Sequence, residues 1–340
     1  MFQPRYQVSP LLLNRIKQIT LLIYELNKRT WPEMVLAQFQ AEAEAVSTYA
    51  STSIEGNPLP LTEVKRLLKN QPNTARQSER EVLNYNQALV ALRGEWERPL
   101  TSSLLLDIHR QVMDGLLPSH QCGQFRREPV IIHNPRTREP IYLPPDHGDV
   151  PDLVGALLDF VSANRAAMDA MILAGLFHKQ LVIIHPFVDG NSRSTRLATR
   201  LLLAGLGLDT FNLFSFENYY NQNVSRYFQQ VGVFGNYYEI VAEVDFTGWL
   251  EYFAEGILDE LHRVEKELER HQATPDNSLQ PHHRLILNHI DAHGFITDKA
   301  YAALTDRAKA TRTLDFNKLM ALGLIERQGQ GRTTHYRRAA

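Results

Sequence analysis

The chain has 340 residues, 44% of them hydrophobic and 22% charged, with a formal net charge of −2. That is enough for one large core plus a smaller domain, and the near-neutral balance provides no global field that would select nucleic acid or an anionic surface. No stretch reaches about 18 uninterrupted apolar residues, the opening MFQPRYQVSP lacks a basic run followed by an apolar one, and the single Cys122 has no partner for a disulfide or a metal cluster. A cytoplasmic protein with no membrane contact is expected.

Apolar residues at helical spacing predict a helix over 11–28, and Trp31-Pro32-Glu33 begins the next. That helix, rich in Ala, Glu and Gln over 36–54, ends at Glu55-Gly56-Asn57-Pro58, where glycine caps and proline stops it. Further helices are predicted over 62–69, 78–92 and 101–117, with a polar loop at 70–74. From Gly123 the pattern changes. Two short β-type runs, 130–132 and 140–143, flank Asn134-Pro135-Arg136-Thr137-Arg138 and predict a hairpin, the one strand pair expected before the C-terminal domain. Helices over 150–164 and 166–184 follow.

The chemistry-bearing stretch is His185 to Arg196, HPFVDGNSRSTR. Pro186 cannot continue the preceding apolar helix, so His185 is presented at its tip. Asp189-Gly190 is a turn, and a new helix from Asn191 would aim the unpaired N–H groups of its first turn into the same space, an arrangement that attracts anions. Arg193 and Arg196, three apart, rise from one face of that helix as planar forks suited to phosphate oxygens. Asp189 supplies a hard oxygen of the kind Mg²⁺ prefers. Phe187 is expected to anchor the core, and His178, seven residues before His185, to be a hydrogen-bonded structural histidine.

Beyond the helix running to about 206 lie Phe216 to Asn223 and Arg226-Tyr227-Phe228, then a long amphipathic helix over 249–270. The polar segment 271–283 contains two prolines and is expected to be a linker. From Arg284 a helix to His293, helices over 298–304 and 309–322, and strands over 323–327 and 333–336 around a Gly-rich turn suggest a winged helix-turn-helix. The expected fold is mainly α: a helical core with a β-hairpin flap, plus this small C-terminal domain. Expected boundaries are 1–95 for an N-terminal helical region, 96–270 for the catalytic domain, 271–283 for the linker and 284–340 for the winged helix.

The stretch from His185 to Arg196 resembles the signature of the Fic family, HPFx(D/E)GNGRxxR, and departs from it only at Ser192, where the family most often has glycine. The resemblance implies transfer of AMP from ATP, with Mg²⁺, to a Ser, Thr or Tyr hydroxyl of a protein, this one included. His185 would be the general base and Asp189 the metal ligand. Gly190, Asn191 and Ser192 would cradle the inner phosphates, Arg193 and Arg196 would hold the outer ones, and Ser194 and Thr195 share that nucleotide-binding turn. If position 192 requires a positive φ, its serine is expected to weaken or retune ATP binding. Ser51 to Gly56 is similar to the inhibitory (S/T)xxxE(G/N) motif of many Fic proteins, which implies that Ser51 and Glu55 belong to a brake, with Glu55 occupying Arg196 in place of the γ-phosphate. In some relatives the same glutamate aligns water for AMP removal. The hairpin would be the flap that pairs with a target segment, and Asn223 and Tyr227 would hold adenine. For the C-terminal domain, DNA contact through Lys309, Arg312, Lys318 and Arg332 stands beside protein docking or homodimer contact. The alternative function is a DNA-binding regulator that senses nucleotide without turning it over.

Overall fold

The computed structural model describes residues 2–339 except 30, 32, 73, 96, 134–136, 209–211, 273–278 and 330; the side chains of 33–35, 270–272 and 332 also fall outside the description. The elements run α1 (Pro10–Lys28), α2 (Glu33–Ile54), α3 (Leu61–Lys69), α4 (Gln77–Ala91), α5 (Ser102–Met113), β1 (Ile132–His133), β2 (Pro140–Leu143), α6 (Val150–Asn164), α7 (Ala170–Ile184), α8 (Asn191–Gly205), α9 (Phe216–Gln222), α10 (Val224–Val231), β3 (Gly235–Asn236), α11 (Tyr237–Ile240), α12 (Thr247–Gln272), α13 (Pro281–His293), α14 (Asp298–Leu304), α15 (Lys309–Ala321), β4 (Ile325–Gln328) and β5 (His335–Arg338). Internal contacts group residues 1–26 with 44–263, and 27–43 with 264–340. This grouping differs from the boundaries expected from sequence. It unites 44–95 with the segment that follows and sets 27–43 with the C-terminal residues.

In the larger unit the centre is the antiparallel-type pair α7 and α8, joined by the His185 turn. Helix α7 is apolar all round and almost wholly buried, as a helix enclosed by neighbours must be. It begins at Ala170 and not at 166, because the Asp169 side chain accepts the Met171 N–H at 2.9 Å and so caps it there. Helix α5 starts in the same way, with Thr101 accepting from Leu104 N–H, and ends at Met113, short of the expected 117. Helices α5 and α6 pack on this pair, and α12 supplies Trp249, Leu250 and Phe253 against α7. The hairpin strands β1 and β2 pair antiparallel, and the predicted turn at 134–136 lies outside the described residues. A third strand was not expected: β3 joins β2 in parallel, Tyr142 opposite Gly235, giving the order β1-β2-β3. Two residues with no alternating pattern leave no strand signal for sequence reasoning to find.

The smaller unit contains α13, α14, α15 and the antiparallel hairpin β4–β5 around Ile286, Ile290, Ile296, Tyr301, Phe316, Leu319 and Ile325. Helix α13 begins at Pro281, inside the segment expected to be linker; 273–278 of that segment lie outside the described residues. Asp315 is buried and both its oxygens receive Arg307, at 2.7 and 3.0 Å, with Tyr301 Oη donating at 2.8 Å. His282 and His283 lie against the same carboxylate, whose charge is met by the Arg307 guanidinium. Of the residues proposed from sequence for phosphate contact, Lys309 and Lys318 are exposed on α15. Arg312 is not available, since it donates to both Asp298 oxygens and to the Arg307 carbonyl. The side chain of Arg332 is outside the described residues. No helix among the described residues is long and apolar enough to cross a membrane.

Gly175 marks the closest approach of α7 and α12. A Cβ there would stand 2.6 Å from Leu250 Cδ2 and 3.2 Å from Phe253 Cδ1, beside the Trp249 Nε1–H bond to the Gly175 carbonyl at 2.8 Å. Gly175→Ala is therefore expected to lower stability by about 1–3 kcal/mol through overpacking, although alanine has the better helix propensity. Urea unfolding of the full chain reads this directly, and an increase in stability would contradict it.

Candidate active site

The turn between α7 and α8 is held by four groups. His185 closes α7 in the left-handed region, φ 51° and ψ 61°, with its N–H on the Leu181 carbonyl at 3.1 Å. A non-glycine residue is seldom found there unless its surroundings impose it. Here Arg126, 3% exposed, imposes it: its Nε donates to the His185 carbonyl and its backbone N–H to the Pro186 carbonyl, both at 2.9 Å. The Asn191 side chain is spent on Phe187, accepting its N–H and donating to its carbonyl, each at 2.8 Å. Asn191 therefore shapes the loop, and of the cradle expected from residues 190–192 only the backbone remains open. The His109 ring stacks on Phe187 with centroids 3.8 Å apart. Its Nδ1 accepts the Gly123 N–H at 2.9 Å, so Nε2 carries the proton donated to the Asp189 carbonyl at 3.0 Å.

Gly190 follows at φ 75°, where any Cβ would lie 2.6 Å from Met113 Sδ. Glycine is thus required at 190. Ser192 lies within the first turn of α8 and is absent from the positive-φ residues, so the backbone cost considered for it does not arise. No side chain caps α8 at Gly190, and the first intrahelical bond is Ser194 N–H to the Gly190 carbonyl. The N–H groups of 191, 192 and 193 thus precede the hydrogen-bond ladder. Ser194 and Thr195 are buried on the inner side of the helix.

Both arginines of this turn are already paired with carboxylates. Arg196, 0% exposed, donates Nε to Ser51 Oγ at 2.7 Å and Nη2 to the Ser51 carbonyl at 2.8 Å and to Glu55 Oε1 at 2.9 Å. Burial by itself would lower the pKa of this guanidinium, but the Glu55 carboxylate together with the Tyr227 and Tyr85 hydroxyls outweighs that and holds it above the ordinary value. Arg193 lies between Glu81 Oε1 and Asp189 Oδ1, the latter at 3.0 Å. Glu81 Oε2 in turn receives Asn57 Nδ2 at 2.7 Å. Glu81, Asn57, His109 and Arg126 were not found from the sequence, and no spacing or periodicity there marks them. Asp189 keeps most of its side chain exposed beside the open end of α8, and its carboxylate would be the group here to hold a hard cation.

Burial lowers His185 to about 4, against a raising influence of the Val182 backbone, so its imidazole is neutral at pH 7. Nδ1 is buried, which leaves Nε2 to face a substrate. His178 is fully buried, with Nδ1 on Thr199 Oγ1 at 3.0 Å and Nε2 on Tyr227 Oη at 3.1 Å, and has a structural role. Tyr227, expected at adenine, is 0% exposed and stacked on Tyr220 at 4.7 Å, which leaves no ring face for a base. The expectation is corrected there: an aromatic residue on the inner face of a helix is core. Asn223 is exposed and its Oδ1 caps α10 through the Arg226 N–H at 3.0 Å.

Residues 99–203 match the model of the Fic/DOC family. That segment, which includes His185 to Arg196, is similar to the Fic/DOC family. The protein adenylyltransferase Fic of Drosophila willistoni is 28% identical over 178 residues, and that of Culex quinquefasciatus 29% over 179 residues. Each alignment takes in 51% of this chain and 34% of the relative, so the chain spans about a third of the length of these curated relatives. A Fic family protein from Desulfovibrio desulfuricans G20 superposes with a TM-score of 0.66 at 21% identity, over 99% of this chain and 98% of that one. Fic-1 from C. elegans gives 0.60 at 19%, over 77% and 74%. At these identities the structures show the fold.

The segment 99–203 buries neutral histidines. Burial sets His109 to about 4, like His185, and lowers His178 as well, whereas an unfolded imidazole titrates near ~6.5. Below that value the unfolded chain binds more protons than the folded one, so this stability is full above about 6.5 and is lost as pH falls towards 4. At pH 5 His109 and His185 are each expected to cost about 2 kcal/mol. A melting temperature unchanged between pH 7 and pH 5 would contradict the assignment.

Proposed function

We propose that the chain is a protein adenylyltransferase restrained by the end of its own helix α2. The observation that carries this is the pairing of Arg196 with Ser51 and Glu55 at the α8 turn that begins just beyond His185. In the reaction, a Ser, Thr or Tyr hydroxyl of this or another protein attacks the α-phosphorus of ATP, its proton passes to His185 Nε2, and the bond to pyrophosphate breaks. The α8 N–H groups face the phosphates, and Arg193 and Arg196 stabilise the charge that develops on the leaving pyrophosphate. Mg²⁺ at Asp189 would neutralise phosphate charge. Strand β2 is enclosed between β1 and β3, so within the flap β1 has the open edge on which an extended target segment can pair. Glu55 and the outer phosphate compete for the same guanidinium, and that competition is the restraint.

Glu55→Gly removes a charge-assisted contact worth roughly 1.5–3 kcal/mol and is expected to raise AMP transfer roughly 10–100-fold. His185→Ala in the Glu55→Gly background is expected to abolish it. Incubation with labelled ATP and Mg²⁺ reads both, and a set of pre-modified targets shows whether Glu55 also supports AMP removal. Absence of label from the Glu55 variant, with nucleotide binding intact, rejects transfer.

A further inference from the structure

The guanidinium of Arg126 is buried, and every hydrogen bond recorded for it goes to a backbone carbonyl. Those carbonyls belong to two separate pieces of the domain. His185, with Pro186 bound by the Arg126 backbone N–H, is the turn that carries the base. Glu128 and Pro145 are the two feet of the flap, one just before β1 and one just after β2. A rigid planar fork donating in both directions fixes their separation. A second tie runs parallel to it: the buried Tyr142 of β2 donates its hydroxyl to the Ile183 carbonyl, two residues before His185, at 2.8 Å. Among the described residues, the hydrogen bonds of the Arg126 and Tyr142 side chains go to His185, Glu128, Pro145 and Ile183, and none goes to α8.

We propose that Arg126 is a positioning residue for the transfer step, holding the flap edge at the distance from His185 at which a hydroxyl on a β1-paired segment meets both the base and the α-phosphorus. The role rests on the adenylyltransferase reading. It acts through geometry: Arg126 itself meets neither nucleotide nor target. Lysine keeps the charge but offers a point donor in place of the fork, so it can serve one side only. A displacement of about 1 Å between reacting groups costs rates on the order of 100-fold.

The test uses the full chain in the Glu55→Gly background, adding Arg126→Lys and, separately, Tyr142→Phe, which removes only the second tie. Three quantities are read: the transfer rate at saturating ATP, the affinity for Mg-ATP by calorimetry, and amide hydrogen exchange over the flap and the 183–188 turn. The expected result for Arg126→Lys is a roughly 10–100-fold lower rate, nucleotide affinity within about twofold, and faster exchange in flap and turn together. Tyr142→Phe should show the same pattern, smaller. A rate equal to that of the Glu55 variant overturns the proposal, as does an equal loss of nucleotide affinity, which would make Arg126 a support of the phosphate loop alone. If Arg126→Lys does not fold, Tyr142→Phe decides by the same criteria. If the Glu55 variant transfers nothing, the adenylyltransferase reading falls, and exchange that rises in the turn but not in the flap refutes the coupling on its own.

Discussion

A fully buried guanidinium is the constraint on which the rest of the larger unit turns. A charge removed from water must be paired or it destabilises the fold by several kcal/mol. Arg196 meets that demand with Ser51 and Glu55. Its two satisfied nitrogens look away from solvent, and the third, Nη1, is buried without a partner. The buried charge therefore makes the domain depend on a carboxylate. Glu55 is poorly placed to stay by its own preference: it lies just past the C-terminal end of α2, where the helix dipole disfavours negative charge, and Gly56 turns the chain away at φ 92°. Arg196 holds it there. A partner whose position is opposed by its own helix is one that a phosphate can displace.

The loop before α8 obeys a different constraint. It must keep the first N–H groups of the helix clear of side chains, and each residue around it supports that from behind. Phe187 is clamped by Asn191 and covered by the His109 ring, and the Asp189 carbonyl is held by His109 Nε2. With Met113 directly beneath, position 190 admits only glycine, and once that left-handed step is made, 192 is an ordinary first-turn residue. Serine in place of glycine at 192 is thereby accommodated.

What could be read from the amino-acid order follows from range. His185, Asp189, Gly190, Arg193 and Arg196 fall within a dozen residues, and a helix stop, a turn and a helix start place them by local rules alone. Helices with local start and stop signals, such as α6 and the seven-residue α14, were legible to the residue for the same reason. Residues that act on the site from elsewhere were not. Glu81, His109 and Arg126 reach it only through the packing of α4 and α5 and the return of the chain at Gly123, and each looks locally like any polar residue on a helix or loop. Tyr227 failed in the other direction, because an aromatic side chain gives no local sign of whether its face is turned to a ligand or to a neighbouring ring.

Charge balance connects the two constraints. The guanidiniums of Arg193 and Arg196 face the carboxylates of Glu81, Asp189 and Glu55, and Asn57, two residues beyond Glu55, donates to Glu81 as well. The cluster is already more anionic than cationic. A triphosphate adds several further negative charges, and in a partly desolvated pocket like charges at short range are costly. Two changes relieve this: withdrawal of Glu55, which frees Arg196, and arrival of a divalent cation at the exposed Asp189, which sits at the solvent side of the same cluster. Because Asn57 links the Glu55 helix end to the carboxylate on Arg193, movement of one is felt by the other. On the adenylyltransferase proposal, nucleotide entry, withdrawal of Glu55 and metal binding would be one electrostatic rearrangement seen from three residues.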